Sequence, residues 1–177
     1  MRSTSSRNCG SSRSRGCVRV TSISESTRPG LLEAVAAAPY NGTADLPKIA
    51  GELQMEIDEL FPVAETLQML RFAELEGGDL KVTEAGAAFF NAGRDERKRI
   101  FARQLLAYVP LAAHVRRVLD ERTSHVARKS RFIDELEDFM TEAAAEQTLR
   151  AIISWGRYAE VFAYEDESAR FTLENPT

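Results

Sequence analysis

A five-residue motif occurs twice in this chain of 177 residues, and the segments around it constrain the fold more than any other feature. Arg71–Leu75 reads Arg-Phe-Ala-Glu-Leu, and Arg157–Val161, which begins 86 positions later, reads Arg-Tyr-Ala-Glu-Val. Each copy follows a helix-like stretch, Asp58–Leu70 or Thr141–Gly156, and leads into two short alternating segments around a polar turn. A helix that runs into a two-stranded ribbon is typical of a winged helix-turn-helix. We therefore predict a mainly α fold with two small β-hairpins, in which tandem winged helix-turn-helix lobes are joined by a helical middle.

The side chains of the motif are interpreted as packing and pairing groups. Six residues form this structural repeat: Arg71, Phe72 and Glu74 in the first copy, and Arg157, Tyr158 and Glu160 in the second. We expect each aromatic ring to close the core of its lobe. Each arginine is expected to pair with the glutamate of its own copy or with a neighbouring carboxylate.

Helix signals dominate the first lobe before the motif. Leu31–Ala38 predicts a short helix, Asp45 can cap a second over Leu46–Leu53, and Asp58 can cap a third after a tight connection. Apolar side chains at 3-4 spacing predict which faces are buried. The residues predicted to face the core are Ile49, Ala50 and Leu53, followed by Leu60, Phe61, Ala64, Leu67 and Leu70.

A ribbon and one more helix complete this lobe. Phe72–Glu76 and Leu80–Thr83 alternate apolar and polar residues, and Gly77-Gly78 supplies the positive φ angles of a tight hairpin. Thr83 then caps a helix over Glu84–Asn91. The residues predicted to face inward on that helix are Ala85, Ala88 and Phe89.

Similar signals cover the remainder of the chain. The predicted elements are helices over Asp95–Tyr108 and from Pro110 through Val118, a loop over Ser124–Lys129, and a helix carrying Phe132, Leu136 and Phe139. Thr141 caps the last predicted helix, which is expected to end at Trp155-Gly156. The second ribbon is predicted over Tyr158–Tyr164 and Ala169–Leu173.

Composition divides the chain into four expected segments. These are a disordered Ser/Arg-rich leader over residues 1–28, winged-helix lobe one over 29–93, a helical connector over 94–129, and a winged-helix-like lobe two over 130–175. Residues 1–30 carry six arginines against Glu25, whereas the whole chain has a net charge of −4, so the folded part is acidic. The basic leader could contact RNA or membrane phosphates, or it could be a linker remnant. Its two cysteines, Cys9 and Cys17, are too few ligands for a zinc site.

Charge argues against DNA binding by the predicted recognition helices. A recognition helix needs arginine or lysine to neutralise phosphates and read base edges. The candidate over Asp58–Phe72 has a net charge of −2, and its counterpart over Thr141–Tyr158 is neutral. Both ribbons are acidic as well, with Glu74, Glu76 and Asp79 in the first. We therefore do not expect either helix to bind a duplex.

The basic residues concentrate in the connector instead. Residues 94–103 sum to +3 and residues 116–131 to +4. One interpretation is a solvated face whose charges pair with the acidic ribbons. The other is a docking surface for an acidic partner or for the headgroup side of a membrane, with Arg97, Lys98, Arg116 and Arg117 as anchors.

No pattern of an enzyme occurs in the sequence. The phosphate-binding loop Gly-x-x-x-x-Gly-Lys-Ser/Thr, the Gly-x-Ser-x-Gly elbow and the His-Glu-x-x-His zinc motif are all absent. His114 and His125 are expected at the surface or between helices, because no nucleophile pattern accompanies them. We expect no catalysis, no cofactor and no metal. No apolar run is long enough to span a bilayer, which favours a cytoplasmic protein.

Several segments together resemble a known family. They are Leu31–Gly42 (LLEAVAAAPYNG), Ala44–Glu52 (ADLPKIAGE), Asp58–Pro62 (DELFP), Glu96–Phe101 (ERKRIF), Val109–Glu121 (VPLAAHVRRVLDE) and Trp155–Ala163 (WGRYAEVFA). The chain is similar to the AAA-associated C-terminal domain of ATP-binding subunits in ABC importers of the nitrate/sulfonate/taurine type. This resemblance implies a cytoplasmic regulatory or interaction domain that normally follows an ATPase domain, whose motifs this sequence lacks.

Three functions are compatible with the sequence. The first is a non-catalytic module that docks on an ABC transporter ATPase or permease component, or on a second copy of itself. The second is a winged-helix DNA-binding transcription regulator. The third is a small-ligand sensor with a pocket between the lobes. Peripheral association with the inner membrane fits the first function, whereas insertion into it does not.

Overall fold

Two antiparallel three-stranded sheets are embedded in a mainly helical protein. The computed structural model describes residues 31, 34–37 and 40–173. The predicted leader over residues 1–28, including both cysteines, lies outside the described residues. The predicted helix Leu31–Ala38 lies partly outside them, and its described residues 31 and 34–36 are helical.

The first structural unit contains two helices and three strands. Its elements are β1 (Thr43–Asp45), α1 (Leu46–Leu53), α2 (Ile57–Met69), β2 (Ala73–Glu76) and β3 (Asp79–Val82). The strand order is β1-β3-β2, with Leu80 of the central strand opposite Ala44 on one side and Leu75 on the other. The hairpin predicted between β2 and β3 is therefore part of a larger sheet, because β1 pairs with its free edge.

Three helices follow this unit, and a second unit of the same order ends the described chain. The helices are α3 (Glu84–Asn91), α4 (Arg94–Tyr108) and α5 (Pro110–Asp120). The second unit consists of β4 (Val126–Arg128), α6 (Lys129–Glu137), α7 (Glu142–Ala159), β5 (Ala163–Glu165) and β6 (Arg170–Thr172). Its strand order is β4-β6-β5, with Phe171 between Ala127 and Tyr164. The two units thus share one topology.

Helix caps occur where short-range chemistry predicts them. The Oδ1 atom of Asp45 accepts from the Lys48 amide at 3.0 Å, and the Oγ1 atom of Thr83 accepts from the Gly86 amide at 3.1 Å. Thr141 caps α7 in the same way. The predicted cap at Asp58 is wrong, because α2 begins one residue earlier and Asp58 lies in its first turn. Its carboxylate there still interacts favourably with the partial positive charge at the start of the helix.

Two boundaries in the second unit differ from prediction. The expected loop over Ser124–Lys129 contains β4, which pairs with β6 from Val126 to Arg128. The expected helix end at Trp155-Gly156 is also wrong, since α7 continues to Ala159 and the strand that follows begins only at Ala163. The strand β4 depends on pairing with a distant strand, and the end of α7 depends on how the helix packs. Neither can be read from a short stretch of sequence.

The two copies of the motif occupy different backbone positions. Arg71 follows α2 and has a φ of 59°, whereas Arg157 and Tyr158 lie inside α7 and the left-handed residue is Glu160, with a φ of 55°. Both helices end with the same hydrogen bond, from the Phe72 amide to Leu67 and from the Val161 amide to Gly156. By backbone conformation Arg71 therefore corresponds to Glu160, which lies three residues after Arg157, its counterpart in the sequence repeat.

An aromatic cluster connects the two units through α4. The ring of Phe101 on α4 lies 6.2 Å from the ring of Phe72 and 5.1 Å from the ring of Tyr158. Phe89 of α3 stacks on Phe72 at 4.7 Å. Phe101 also meets the indole of Trp155 edge-on. One continuous core therefore runs from the first sheet to α7, and both motif aromatics contribute to it.

Candidate functional site

The turn between α1 and α2 exposes three large apolar side chains. Leu53 is 37% exposed, Ile57 39% and Phe61 44%. Leu53 and Phe61 were expected in the core, so their predicted burial is wrong. Ile57 and Phe61 are four residues apart and therefore share one face of α2. The buried face of the helix, which carries Leu60, Ala64 and Leu67, lies directly beside this exposed pair.

Exposed carboxylates lie close to this apolar turn in sequence. Asp58, Glu59 and Glu65 are exposed on α2, and none of them forms an ion pair with another described residue. We call these three residues, together with Leu53, Ile57 and Phe61, the acidic face. Its negative charge is not neutralised within the described part of the chain, so it is available to a partner.

The chemistry of the acidic face selects among binding partners. Unpaired carboxylates repel phosphates, which disfavours a nucleic acid at this surface. Exposed apolar side chains gain free energy when another apolar surface excludes water from them. A surface of this kind fits a protein with an apolar centre and a lysine or arginine rim.

The sequence did not predict the acidic face, because helical spacing alone does not tell which apolar positions of a helix are buried. Leu60, Phe61 and Ala64 all satisfy the 3-4 pattern, but α2 packs with only one side against the core. The nearby carboxylates Asp58 and Glu59 were a usable signal, since they predict a solvated surface at this end of the helix.

The four predicted docking residues lie on α4 and α5, and their side chains contact other parts of the protein. Arg97 donates to the carbonyl oxygens of Phe89 at 3.1 Å and Phe90 at 2.8 Å. It thereby satisfies the last carbonyls of α3 and also lies over the Phe89 ring. Arg97 thus contributes directly to the connection between α3 and α4.

Lys98 and Arg116 meet at the turn that follows α7. The Nζ atom of Lys98 forms an ion pair with Glu160, and the Nη1 atom of Arg116 donates to the Val161 carbonyl at 2.9 Å. Arg116 also pairs with Asp120 at 3.1 Å. These two side chains therefore join α4 and α5 to the second unit.

Arg117 belongs to a network between α5 and α6. Its Nη2 atom lies 2.9 Å from the Nδ1 atom of His114, whose Nε2 atom lies 2.7 Å from Glu135. Arg131 pairs with the same carboxylate at 3.0 Å. The four side chains link the two helices, while His125 contacts the Leu119 carbonyl at 2.9 Å. A docking function for Arg97, Lys98, Arg116 and Arg117 stays a prediction.

The charged side chains of the motif also find different partners in the two copies. Arg71 lies over the ring of Tyr108, whereas Arg157 pairs with Asp166 at 2.7 Å. Glu74 lies opposite Lys81 across the β2–β3 ladder. Among the described residues, neither arginine forms an ion pair with the glutamate of its own copy. The three-residue displacement gives the two arginines different neighbours.

Histidine, aspartate and glutamate side chains of the described residues nowhere form a group of three or more that could hold a metal ion. None of the described helices has the length and the apolar character needed to cross a membrane.

Comparison with known proteins identifies a family. No curated protein and no solved structure matches the chain. The sequence model of one family, described as the C-terminal AAA-associated domain, matches residues 47–165. This range begins in α1, contains the acidic face and ends in β5. Since it covers more than half of the sequence, the chain belongs to the C-terminal AAA-associated domain family.

Proposed function

We propose that this chain is a non-catalytic regulatory and interaction domain that docks on the ATPase of an ABC importer or on a second copy of itself. Its place of action is the cytoplasmic side of the inner membrane. Membership of the AAA-associated family supports an association with an ATPase. The acidic face is the single observation that carries the proposal.

Each structural unit is proposed to be a winged helix-turn-helix used for protein contacts. The order helix, strand, two helices and two strands supports this for α5 through β6, and the sheet order β4-β6-β5 places the first strand beside the last. The first unit has the same strand order. In such a fold α2 and α7 hold the positions of recognition helices. The acidic charge of α2 favours a basic protein surface there over a duplex.

Docking is tested by measuring the affinity of the full chain for purified ABC importer ATPase subunits from the same cell. We expect a complex in size-exclusion chromatography, and Phe61→Ser should weaken it roughly tenfold or more, because a large side chain at an interface centre contributes strongly. Phe139→Ser is the matched control, since Phe139 is 84% exposed outside the acidic face. Self-association is followed by sedimentation of the same variants.

The results that contradict this proposal are specific. A chain that recovers no ATPase subunit and stays monomeric at high concentration is not a docking module. Equal weakening by Phe61→Ser and Phe139→Ser would show that the acidic face is not the contact. A salt-dependent complex with duplex DNA would instead favour a transcription regulator.

A further inference from the structure

A cleft with a volume of about 330 Å³ lies on the second unit, and none of its lining residues belongs to the acidic face. The outer stripe of α7 forms one wall, and the start of α6 and the end of β5 form the other. Ligand pockets in proteins start at roughly this size, about 300 Å³. The cleft therefore has room for a small molecule.

Positive charge dominates the cleft. Three cationic side chains line it, Lys129, Arg150 and Arg157, and Asp166 is the one acidic residue among its lining residues. Arg157 is held by Asp166 at 2.7 Å, and Lys129 is held by Glu146, whose side chain comes from α7. Both cations are thus positioned by the protein itself, which lowers the entropy cost of using them in binding.

Arg150 differs from the other two cations. Its side chain is exposed and forms no hydrogen bond or ion pair with any described residue. A guanidinium carries five N–H donors in a planar fork that matches a carboxylate or phosphate group. Arg150 can therefore offer its whole fork to a ligand in the cleft.

The same stripe of α7 adds a hydroxyl group. Ser154 lies one turn after Arg150, and Arg157 follows after three further positions, so all three occupy one helix face. The half-buried Ser154 side chain also has no hydrogen-bond partner among the described residues. It can donate to an anion that Arg150 holds.

Apolar surface completes the site. Ile153 is 8% exposed and lines the floor, and the ring of Tyr164 lines the wall on β5. The guanidinium of Arg157 lies over that ring at 5.5 Å. A ligand with an apolar or planar body can therefore contact carbon atoms while its charge faces the cations.

We propose that this cleft binds a small organic anion. Its carboxylate or phosphate group contacts Arg150, Lys129 and Ser154, and its apolar or planar body lies against Ile153 and Tyr164. The site goes beyond the docking function and depends on different residues. A bound anion would give the domain an input signal that the acidic face alone lacks.

The test uses the full chain and three probes in isothermal titration calorimetry at low ionic strength. Phenyl phosphate and benzoate have a planar body, whereas inorganic phosphate has none. We expect the first two to bind, and inorganic phosphate to bind more weakly. Arg150→Met should weaken phenyl phosphate about tenfold or more, because a hydrogen bond to a charged group contributes about 1.5–3 kcal/mol.

Matched variants keep this result interpretable. Arg103→Met removes an exposed arginine of α4 that has no ion-pair partner among the described residues, and it should change the affinity less than about twofold. Arg150→Lys should restore part of the binding, since lysine keeps the charge but loses the fork. Circular dichroism shows that each variant keeps its helices.

Three results overturn the proposal. The first is the absence of binding by every probe at millimolar concentration. The second is binding that Arg150→Met and Arg103→Met weaken equally, which indicates unspecific attraction. The third is binding of a duplex oligonucleotide without binding of the small anions, because the cleft would then serve a nucleic acid.

Discussion

The ring of Phe101 meets the ring of Tyr158 edge-on at a centroid distance of 5.1 Å, which joins α4 to α7. Phe101 is fully buried and also contacts Phe72 of the first unit. Its ring therefore touches both aromatic residues of the repeated motif. The two units share this contact, so their stabilities should be coupled.

Phe101→Ala should lower the free energy of unfolding by about 3–5 kcal/mol, because it leaves a cavity between two packed units. Urea unfolding followed by circular dichroism measures this change. Phe139→Ala is the control, since the 84% exposed ring of Phe139 should contribute less than about 0.5 kcal/mol. Similar losses for both variants would contradict the contribution of Phe101 to the shared core.

The ion pair between Lys98 and Glu160 predicts a pH dependence at alkaline pH. The hydrogen bond to Glu160 raises the pKa of Lys98 above its usual 10.5. Since the folded state binds this proton more tightly than the unfolded state, the stabilisation is fully present below pH 10.5. It is lost as the pH rises through the pKa of the folded state.

Thermal unfolding from about pH 8 to about pH 12 checks this pH dependence. Near the lower pH limit of this range, Lys98→Met should unfold at a lower temperature than the wild type. This difference in unfolding temperature should shrink near the upper limit. Lys98→Arg is the control, because arginine stays charged throughout. A difference between wild type and Lys98→Met that is constant with pH would speak against the ion pair.

Gly86 and Gly51 form a matched pair of helical glycines. A Cβ atom at Gly86 would lie 2.0 Å from the Phe72 carbonyl oxygen, whereas one at Gly51 meets nothing within 4 Å. Gly86→Ala should therefore destabilise the protein by about 1–3 kcal/mol through overpacking. Gly51→Ala should stabilise it by about 0.5–1 kcal/mol, because alanine favours the helix. Chemical denaturation of both variants measures the change in the free energy of unfolding. A change of the same sign in both variants would contradict the close approach of α3 to Phe72.

The acidic face should keep DNA away from α2. The wild type is expected not to retard a duplex in a mobility-shift assay at low salt, whereas reversal of Asp58, Glu59 and Glu65 to lysine should produce a salt-dependent complex. A second triple variant reverses the exposed carboxylates Glu137, Asp138 and Glu167, which changes the net charge equally. Retardation by that control alone would locate the DNA contact elsewhere.

Local chemistry made part of the fold predictable from the sequence. The bounds of α1 and α3 and their caps at Asp45 and Thr83 agree with prediction, because a cap depends on three or four consecutive residues. The strands β1 and β4 were not predicted. Each has three residues and forms only by pairing with a strand about 40 positions away in sequence, which short-range patterns do not encode.

The candidate sites were harder to predict than the fold. Phe61 satisfies the helical pattern but is exposed, and Phe139 lies beyond the end of α6 although it was assigned to that helix. Which apolar residues stay outside depends on how the helices pack together. The basic cleft assembles Lys129, Arg150 and Tyr164 from three elements, so their proximity arises only in the folded chain.

The three-residue displacement of the motif changes how the two halves should be compared. Identical letters at Arg71 and Arg157 stand in a left-handed turn and in a helix, respectively, while Arg71 and Glu160 share a conformation. Glycine should be tolerated at Arg71 and Glu160 but should weaken α7 at Arg157. Substitution profiles of the two halves would therefore look unrelated when aligned by sequence identity and similar when aligned by backbone angle. Identical residues in an internal sequence repeat can therefore occupy positions that are not structurally equivalent.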